Sequence, residues 1–505
     1  MPAVRLIPGA ASWGRQTASV LPLIRTAYAH GEKDIMPMPS SFFTYSPPLF
    51  QEVKQNRHVL FHANKSEWVV VNDTGLEIAK HLDRGPPIGD VAGCLVAKYR
   101  ISSEEAEHDV LSVSKQLARQ HFLNEKKTEH SVRSPALNSA YLHLTGRCNL
   151  SCPHCYVSCP DDNTNKDLPA TIVLKLIDEL ANKGGQTVTF SGGEPLLYPA
   201  IKKILKYAAP KVGIRLLTNG ILIDKEWAAF LADMDIFIQI SVDGSKKEIH
   251  DLIRGKGSFE KTLRGVECLQ EAGLGERIIF STTVMNQNIH DLKGIISLAE
   301  GYTVPLVRFL PLHRLGRAKK EWDAIGSNIT ISDYEQFYQY TSELRAEWKS
   351  SIEVSCGLSG FLLKMPEVFS EDDMWCPLGR QLVVGTNGDT FPCDLMMRDE
   401  FKVGNIFHDS LTKMIQSDKM KMFCQALSER RMKIKKCAAC TWRNLCQAGC
   451  MGQALVHKGT IWDTDDFCNY RQKAYAEAFD KILGLEFEHY DEKKQMKRKT
   501  SGGKS

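Results

Sequence analysis

Between Ala140 and Leu310 short apolar runs alternate with longer amphipathic stretches. The runs Tyr141–Leu144, Thr187–Phe190, Ile214–Leu217, Ile236–Ser241, Ile278–Val284 and Leu306–Leu310 have the length and β-branched content of strands. The stretches Thr171–Asn182, Ile201–Ala208, Lys225–Leu231, Phe259–Ala272 and Ile289–Ala299 carry apolar residues at helical spacing. Six strands separated by helices predict an α/β unit with a parallel sheet, open or closed into a barrel. In such folds reactive groups sit at the C-terminal ends of the strands.

Flanking this core the pattern is different. Residues 1–41 show no sustained period and are left unassigned. Residues 42–125 read as a small α+β unit. His58–Ala63 and Glu67–Val71 are strands joined by an Asn64-Lys65-Ser66 turn, and Asn72-Asp73-Thr74 offers an N-cap to a helix Gly75–Leu82. Further helices are expected at Ile88–Tyr99 and Glu104–Phe122. Residues 126–136 form a polar linker to the core, 137–330. A mainly helical connector, 331–373, leads to a cysteine-rich, loop-rich segment, 374–475, with a turn signal at Thr386-Asn387-Gly388. A helix and a basic, apolar-poor tail, expected to be disordered, occupy 476–505.

The chain has 505 residues, 43% of them hydrophobic, and a formal net charge of +4. This length suggests several domains, and so small a charge argues against a dedicated nucleic-acid binder. No apolar run reaches the 18 residues of a membrane span. The first 31 residues, broken by Gly9, Arg15, Gln16, Thr17 and Arg25, do not read as a signal peptide. A cytoplasmic protein is the expectation. Composition changes the picture at one residue type: fifteen cysteines, most of them in two groups, suggest metal or cluster ligation in a reducing compartment.

The first group reads Cys148-Asn149-Leu150-Ser151-Cys152-Pro153-His154-Cys155, directly after the first core strand. Three thiolates on one loop can hold three irons of a four-iron cluster and leave the fourth open, as a catalytic site requires. The rival is a zinc loop completed by Cys159 or His154. The C-x3-C-x2-C spacing at this place, with Tyr156 after the last cysteine, resembles the radical S-adenosylmethionine (SAM) superfamily over residues 138–320. The resemblance implies a partial (β/α)6 TIM barrel. It also implies that SAM binds the open iron and is cleaved reductively to a 5′-deoxyadenosyl radical, which takes hydrogen from a substrate.

Other strand ends then acquire expected roles. Gly192-Gly193-Glu194 ends the second strand and matches the family motif for the SAM amino group. Asn219 ends the third. Ser241 and Asp243 end the fourth, where the family contacts ribose or carboxylate. Arg254 is a candidate for a bidentate pair with the SAM carboxylate. Ser281, Thr283, Arg308 and the segment His313-Arg314-Leu315-Gly316-Arg317 are further candidates to line the pocket.

The second group comprises Cys376, Cys393, Cys437, Cys440, Cys446, Cys450 and Cys468, with Cys424 lying apart between them. The pattern resembles the SPASM auxiliary-cluster domain of peptide- and protein-modifying radical SAM enzymes. It implies three [4Fe-4S] clusters in all. Cys437, Cys440, Cys446 and Cys468 would complete one auxiliary cluster. Cys376, Cys393 and Cys450 would supply three ligands of the other. Its fourth ligand is then a distant thiol, Cys356 or Cys424, or one iron stays open; a [2Fe-2S] form is the further option. Two structural zinc sites are the alternative. Asp394 follows Cys393 where sulfatase-maturing relatives place a base; a hydrogen bond to its own loop is the competing role.

The order strand–strand–helix–helix–helix in 42–125 resembles the peptide-recognition element related to the small chaperone of pyrroloquinoline quinone biosynthesis, a winged-helix-like fold that captures a leader peptide as an added strand. Lys80 and His81 alone on Gly75–Leu82 do not make a DNA-recognition helix. The expectation is a maturase of a ribosomally made peptide or a protein, supplied with electrons by a flavodoxin- or ferredoxin-type donor. It would leave a crosslink, thioether or oxidised residue. The rivals are maturation of a sulfatase-like protein, tailoring of a small cofactor such as a porphyrin, and a non-catalytic zinc-binding regulatory protein.

Overall fold

The computed structural model describes residues 57–61, 68–82, 88–119, 135–159, 166–327, 330, 332–333, 336, 352–356, 376–473 and 475–476. Expectations for 1–41, for most of the linker and connector, and for the tail beyond 476 fall outside these residues.

The N-terminal unit pairs β1 (Arg57–Phe61) antiparallel with β2 (Trp68–Asn72), followed by α1 (Asp73–Leu82), α2 (Ile88–Tyr99) and α3 (Ser103–Arg119). The side-chain oxygen of Asn72 accepts from the Gly75 amide at 2.8 Å, the N-cap that the sequence predicts. Alternation along β2 sends Val69 and Val71 into a core with Leu60, Leu76, Ile78, Leu95 and Val110. Val70 points the other way and packs against Trp442, Leu445 and Tyr475 of the cysteine-rich segment.

Among the described residues the core is an open ten-stranded sheet. Its middle is β3 (Ser139–His143), β4 (Thr187–Ser191), β5 (Gly213–Thr218), β6 (Ile236–Ser241), β7 (Ile278–Val284) and β8 (Leu306–Pro311), all parallel. The crossovers are α4 (Ala170–Asn182), α5 (Ile201–Ala208), α6 (Lys225–Ala232), α7 (Lys247–Arg254), α8 (Ser258–Glu271) and α9 (Leu292–Gly301). The sheet does not close, so the unit is a partial barrel. β9 (Glu353–Cys356) extends it parallel beside β8. β10 (Gln381–Val384) extends it parallel beside β3, and β11 (Asp389–Phe391) and β12 (Gly404–Asn405) continue antiparallel. The cysteine-rich segment is therefore joined to the barrel by backbone hydrogen bonds.

One face of the sheet is apolar. Leu142, Phe190, Leu216, Ile238, Ile240, Phe280 and Val307 are fully buried beneath the helices. At about 25 cal/mol per Å2 of buried apolar surface, this layer is the main source of stability. The opposite face carries Tyr141, Thr189, Arg215, Gln239, Ser281 and Arg308 at the alternate positions.

Most element boundaries agree with the sequence pattern, and the departures have physical reasons. Helix α9 begins at Leu292, three residues later than the periodicity suggests, because the Asp291 carboxylate accepts from the Ser245 amide and hydroxyl at 2.6 Å each. Beyond the barrel the chain is more helical than its cysteines suggest: α10 (Asp418–Lys433) and α11 (Met451–Lys458) lie between the cysteine-bearing loops. α10 buries residues around most of its circumference, Arg430 included, so it shows little amphipathic contrast.

Candidate active site

The cysteine loop leaves the C-terminal end of β3 and carries Cys148, Cys152 and Cys155. Burial pushes the Cys148 thiol up to about 12, and Cys152 rises for the same reason. Such thiols stay protonated at neutral pH unless a metal ion displaces the proton. The loop is held from two sides. The Gly193 amide donates to the Thr145 carbonyl at 2.7 Å and the Glu194 amide to the Arg147 carbonyl at 2.8 Å. A Cβ on Gly193 would lie 2.1 Å from the Arg147 carbonyl oxygen, so only glycine permits this approach. From the other side Arg317 donates to the Cys152 and Cys159 carbonyls, both at 2.6 Å. Arg317 is thus an anchor of the loop rather than part of a pocket lining.

Glu194 is buried. Its carboxylate accepts from the Leu196 amide (3.1 Å), the Thr218 hydroxyl (2.8 Å) and the Asn219 amide (2.8 Å). Burial raises its pKa, and these hydrogen bonds oppose the rise. The carboxylate therefore locks the β4 turn to the β5 turn. Asn219 continues the chain of contacts, donating to the Asn149 side chain at 2.7 Å, between the first two cysteines.

Asp243 is wholly buried and accepts from Arg254 Nε at 2.7 Å and from the Thr283 amide at 2.8 Å. Arg254 Nη2 lies 3.4 Å from His154 Nε2, inside the cysteine loop. Burial pushes Asp243 up, but Arg254, His154 and the Thr283 amide outweigh it and the net shift is downward. Asp243 thus holds Arg254 beside the cysteine loop. Ser241 and Ser281 are register partners on β6 and β7. The half-buried His313 meets the His457 ring edge to face, and desolvation lowers it to about 3.

In the cysteine-rich segment, Cys376, Cys393 and Cys450 lie close enough to act on one another electrostatically, as do Cys437, Cys440, Cys446 and Cys468. Burial pushes Cys450 and Cys437 up to about 12. Arg471 donates from Nε to Cys446 Sγ at 3.2 Å and pairs with Asp465, whose carboxylate also accepts from the Cys450 amide at 2.7 Å. Between Cys446 and Cys450, Gln447, Ala448 and Gly449 all have positive φ (52°, 64° and 71°). Arg430 holds that strained turn by donating to the Gly449 and Ala448 carbonyls at 2.8 and 3.2 Å. Cys424 is buried on α10 within the main apolar core, and the side chain of Cys356 falls outside the description. No disulfide joins the described cysteines. Among the described residues no three His, Cys, Asp or Glu side chains converge as one metal ion would need; the ligands of a multi-iron cluster bind different irons.

Between the two cysteine regions lies the inner face of the sheet. The Tyr141 and Tyr156 hydroxyls meet at 3.3 Å, and Asp394 acts on both electrostatically. Asp394 Oδ1 accepts from the Leu395 amide at 3.1 Å and lies 3.2 Å from Cys393 Sγ. Sequence reasoning does not single out Tyr141 or Arg215. The available signal is a polar residue at alternate positions of otherwise apolar strands, as in Ile214-Arg215-Leu216.

Residues 142–299 match the radical SAM superfamily. The mycofactocin maturase of Mycolicibacterium smegmatis is 32% identical over 311 residues, which cover 61% of this chain and 76% of the relative. The chain belongs to the radical SAM superfamily. Radical SAM enzymes bind SAM and iron–sulfur clusters, and this one adds residues 376–441, matching an iron–sulfur cluster-binding domain (SPASM), and residues 57–123, matching coenzyme PQQ synthesis protein D. Other radical SAM relatives are the Fe-coproporphyrin III synthase of Methanosarcina barkeri (27% identical, 65% of this chain, 86% of the relative) and the subtilosin biosynthesis protein AlbA of Bacillus subtilis (26%, 77%, 86%). In fold the chain is similar to Streptococcus suis SuiB bound to its precursor peptide SuiA (TM-score 0.55, 15% identical, 82% of this chain, 98% of that one). No described helix is long and apolar enough to cross a membrane.

Proposed function

We propose that this enzyme matures a ribosomally made peptide by hydrogen abstraction. The observation that carries the reading is the joining, in one chain, of three parts. The unit matching PQQ synthesis protein D packs through Val70 onto the cysteine-rich segment, and that segment is hydrogen-bonded into the barrel sheet. A peptide held at the N-terminal unit is thereby tethered to the same body as the barrel interior. AlbA, which serves bacteriocin biosynthesis, and the peptide-bound SuiB support this reading. The porphyrin rival rests on the Fe-coproporphyrin III synthase relative and gives the N-terminal unit no role.

When bound at Cys148, Cys152 and Cys155, the cluster and SAM supply a carbon-centred radical able to break an unactivated C–H bond. The chain's own residues do the rest. Gly193 and Arg317 fix the cysteine loop. Glu194 and Asn219 shape the turn that receives the SAM amino group. Asp243 aims Arg254 at the SAM carboxylate. Tyr141 and Tyr156 wall the interior, and Asp394 is placed to take a proton beside Cys393. Cys376, Cys393 and Cys450 would hold one auxiliary cluster, and Cys437, Cys440, Cys446 and Cys468 would hold the other. The likeness to SPASM enzymes supports both assignments, together with an electron donor of flavodoxin or ferredoxin type.

The test is anaerobic reconstitution followed by reaction with SAM, a reductant and short peptides encoded beside this gene. The expected product is a peptide altered in mass, with 5′-deoxyadenosine released in proportion. Turnover of a porphyrin, with every peptide left unchanged, would sink the proposal.

A further inference from the structure

Two arginines stand on the inner face of the sheet, each the third residue of a six-residue strand: Arg215 on β5 and Arg308 on β8. Arg308 Nη1 donates to Gln239 Oε1 at 3.2 Å, and Gln239 Nε2 donates to Ser281 Oγ at 3.1 Å. Arg215 Nε is buried without a hydrogen-bond partner. Among the described residues neither guanidinium makes an ion pair. Glu353 on β9 acts on Arg308 only through space, and Tyr141 acts on both arginines. Burial and the repulsion of Arg215 together lower Arg308 to about 10.

Two half-buried cations that repel each other and make no ion pair among the described residues are a cost in the resting protein. The cost is offset if an anion enters. A guanidinium fork matches a carboxylate in geometry as well as charge, and Gln239 holds one of the two forks in place. The position sets these residues apart from the SAM-facing turns, which lie at the strand ends. It also sets them within electrostatic reach of Tyr141, which in turn responds to Asp394 on the auxiliary-cluster side.

We propose that Arg215 and Arg308 form a carboxylate clamp inside the barrel, which seizes an Asp or Glu side chain or the free C-terminus of the substrate peptide. This rests on the peptide reading given above. The clamp therefore selects an acidic position as the anchor of the modified segment.

The test is ligand-observed NMR on the full chain with its clusters reconstituted and SAM bound. Three probes are used at millimolar concentration: N-acetyl-Gly-Glu-Gly-amide, its Gln counterpart, and N-acetyl-Gly-Gly-Gly as the free acid. At least one acid probe is expected to bind ten times more tightly than the Gln probe, and which one does so tells side chain from C-terminus. Arg215→Met and Arg308→Met should each erase that tenfold preference, and Arg308→Lys should keep part of it. Equal binding of acid and amide would overturn the clamp and leave the peptide reading intact. If no peptide binds but coproporphyrin III does, and loses affinity tenfold in the methionine variants, the clamp stands and the peptide reading falls. Binding by none of these carboxylates overturns the clamp. The comparison of acid with amide on the unaltered protein decides the matter even if the variants fold poorly.

Discussion

The guanidinium of Arg317 donates to the backbone carbonyl of Cys152 at 2.6 Å, across 165 residues of sequence. The Arg317 amide donates in turn to the Cys155 carbonyl at 2.9 Å. The segment after the last core strand therefore closes over the loop that follows the first. Hydrogen bonds from a charged donor contribute about 1.5–3 kcal/mol each. Arg317→Met should therefore loosen the loop more than the fold. Iron at the SAM site should fall by more than half, read by electron paramagnetic resonance of the reduced protein, while the auxiliary signals persist.

The barrel was legible because its strands are short apolar runs between helices with clear periodicity, and the cysteine spacings marked the segments that match the radical SAM and SPASM families. What stayed hidden was pairing at a distance. Gln381–Val384 is too short and too close to a turn to announce that it lies parallel beside β3. Arg254 reads as a ligand-facing arginine, but its partner Asp243 lies eleven residues away, and only the fold brings them together. Glu194 likewise reads as a ligand carboxylate and proves to be occupied by Thr218 and Asn219. Long-range hydrogen bonds leave no period in the sequence.

The Asp243–Arg254 pair has a testable cost. Asp243→Asn leaves a buried guanidinium without its counter-ion, which should destabilise the barrel by about 3 kcal/mol. SAM should also bind at least tenfold more weakly. The pair has a pH signature as well. The folded-state pKa of Asp243 lies below its unfolded value, so its stabilisation is complete above the ordinary aspartate range and is lost as pH falls through the folded pKa. Acid unfolding of the wild type should show this loss on the acid side of about pH 4. The Asn variant should lack it.

Asp394 offers a separation of steps. A positioned base contributes about 100- to 10,000-fold to a proton transfer. Asp394→Asn should lower modified-peptide formation by at least a hundredfold while 5′-deoxyadenosine release continues. If both fall together in proportion to lost iron, Asp394 serves the loop through Leu395 and Cys393 instead.

Gly449 sits in the left-handed turn between Cys446 and Cys450. A Cβ there would lie 2.2 Å from Arg471 Nη2 and 2.4 Å from Asp465 Oδ2. Gly449→Ala must therefore displace the ion pair that braces Cys446 and Cys450 as well as strain the backbone. Because those two cysteines fall in different auxiliary groups, both auxiliary signals should weaken while the SAM-site signal remains. Iron analysis of the purified variant, beside its resonance spectrum, checks this.

Val70 tests whether the N-terminal unit works as part of the enzyme or as a separate tether. Its neighbours Val69 and Val71 hold the unit's own core, so Val70 can be changed without dismantling that core. Val70→Asp would bring a carboxylate against Trp442, Leu445 and Tyr475, and the desolvation cost of several kcal/mol should separate the two surfaces. Hydrogen exchange should then speed up in β2 and around Trp442, with the barrel strands unchanged. Release of 5′-deoxyadenosine without peptide should be unaffected. Modification of a leader-bearing peptide should fall at least tenfold relative to the same peptide without its leader, because the leader would no longer be held in register with the barrel mouth.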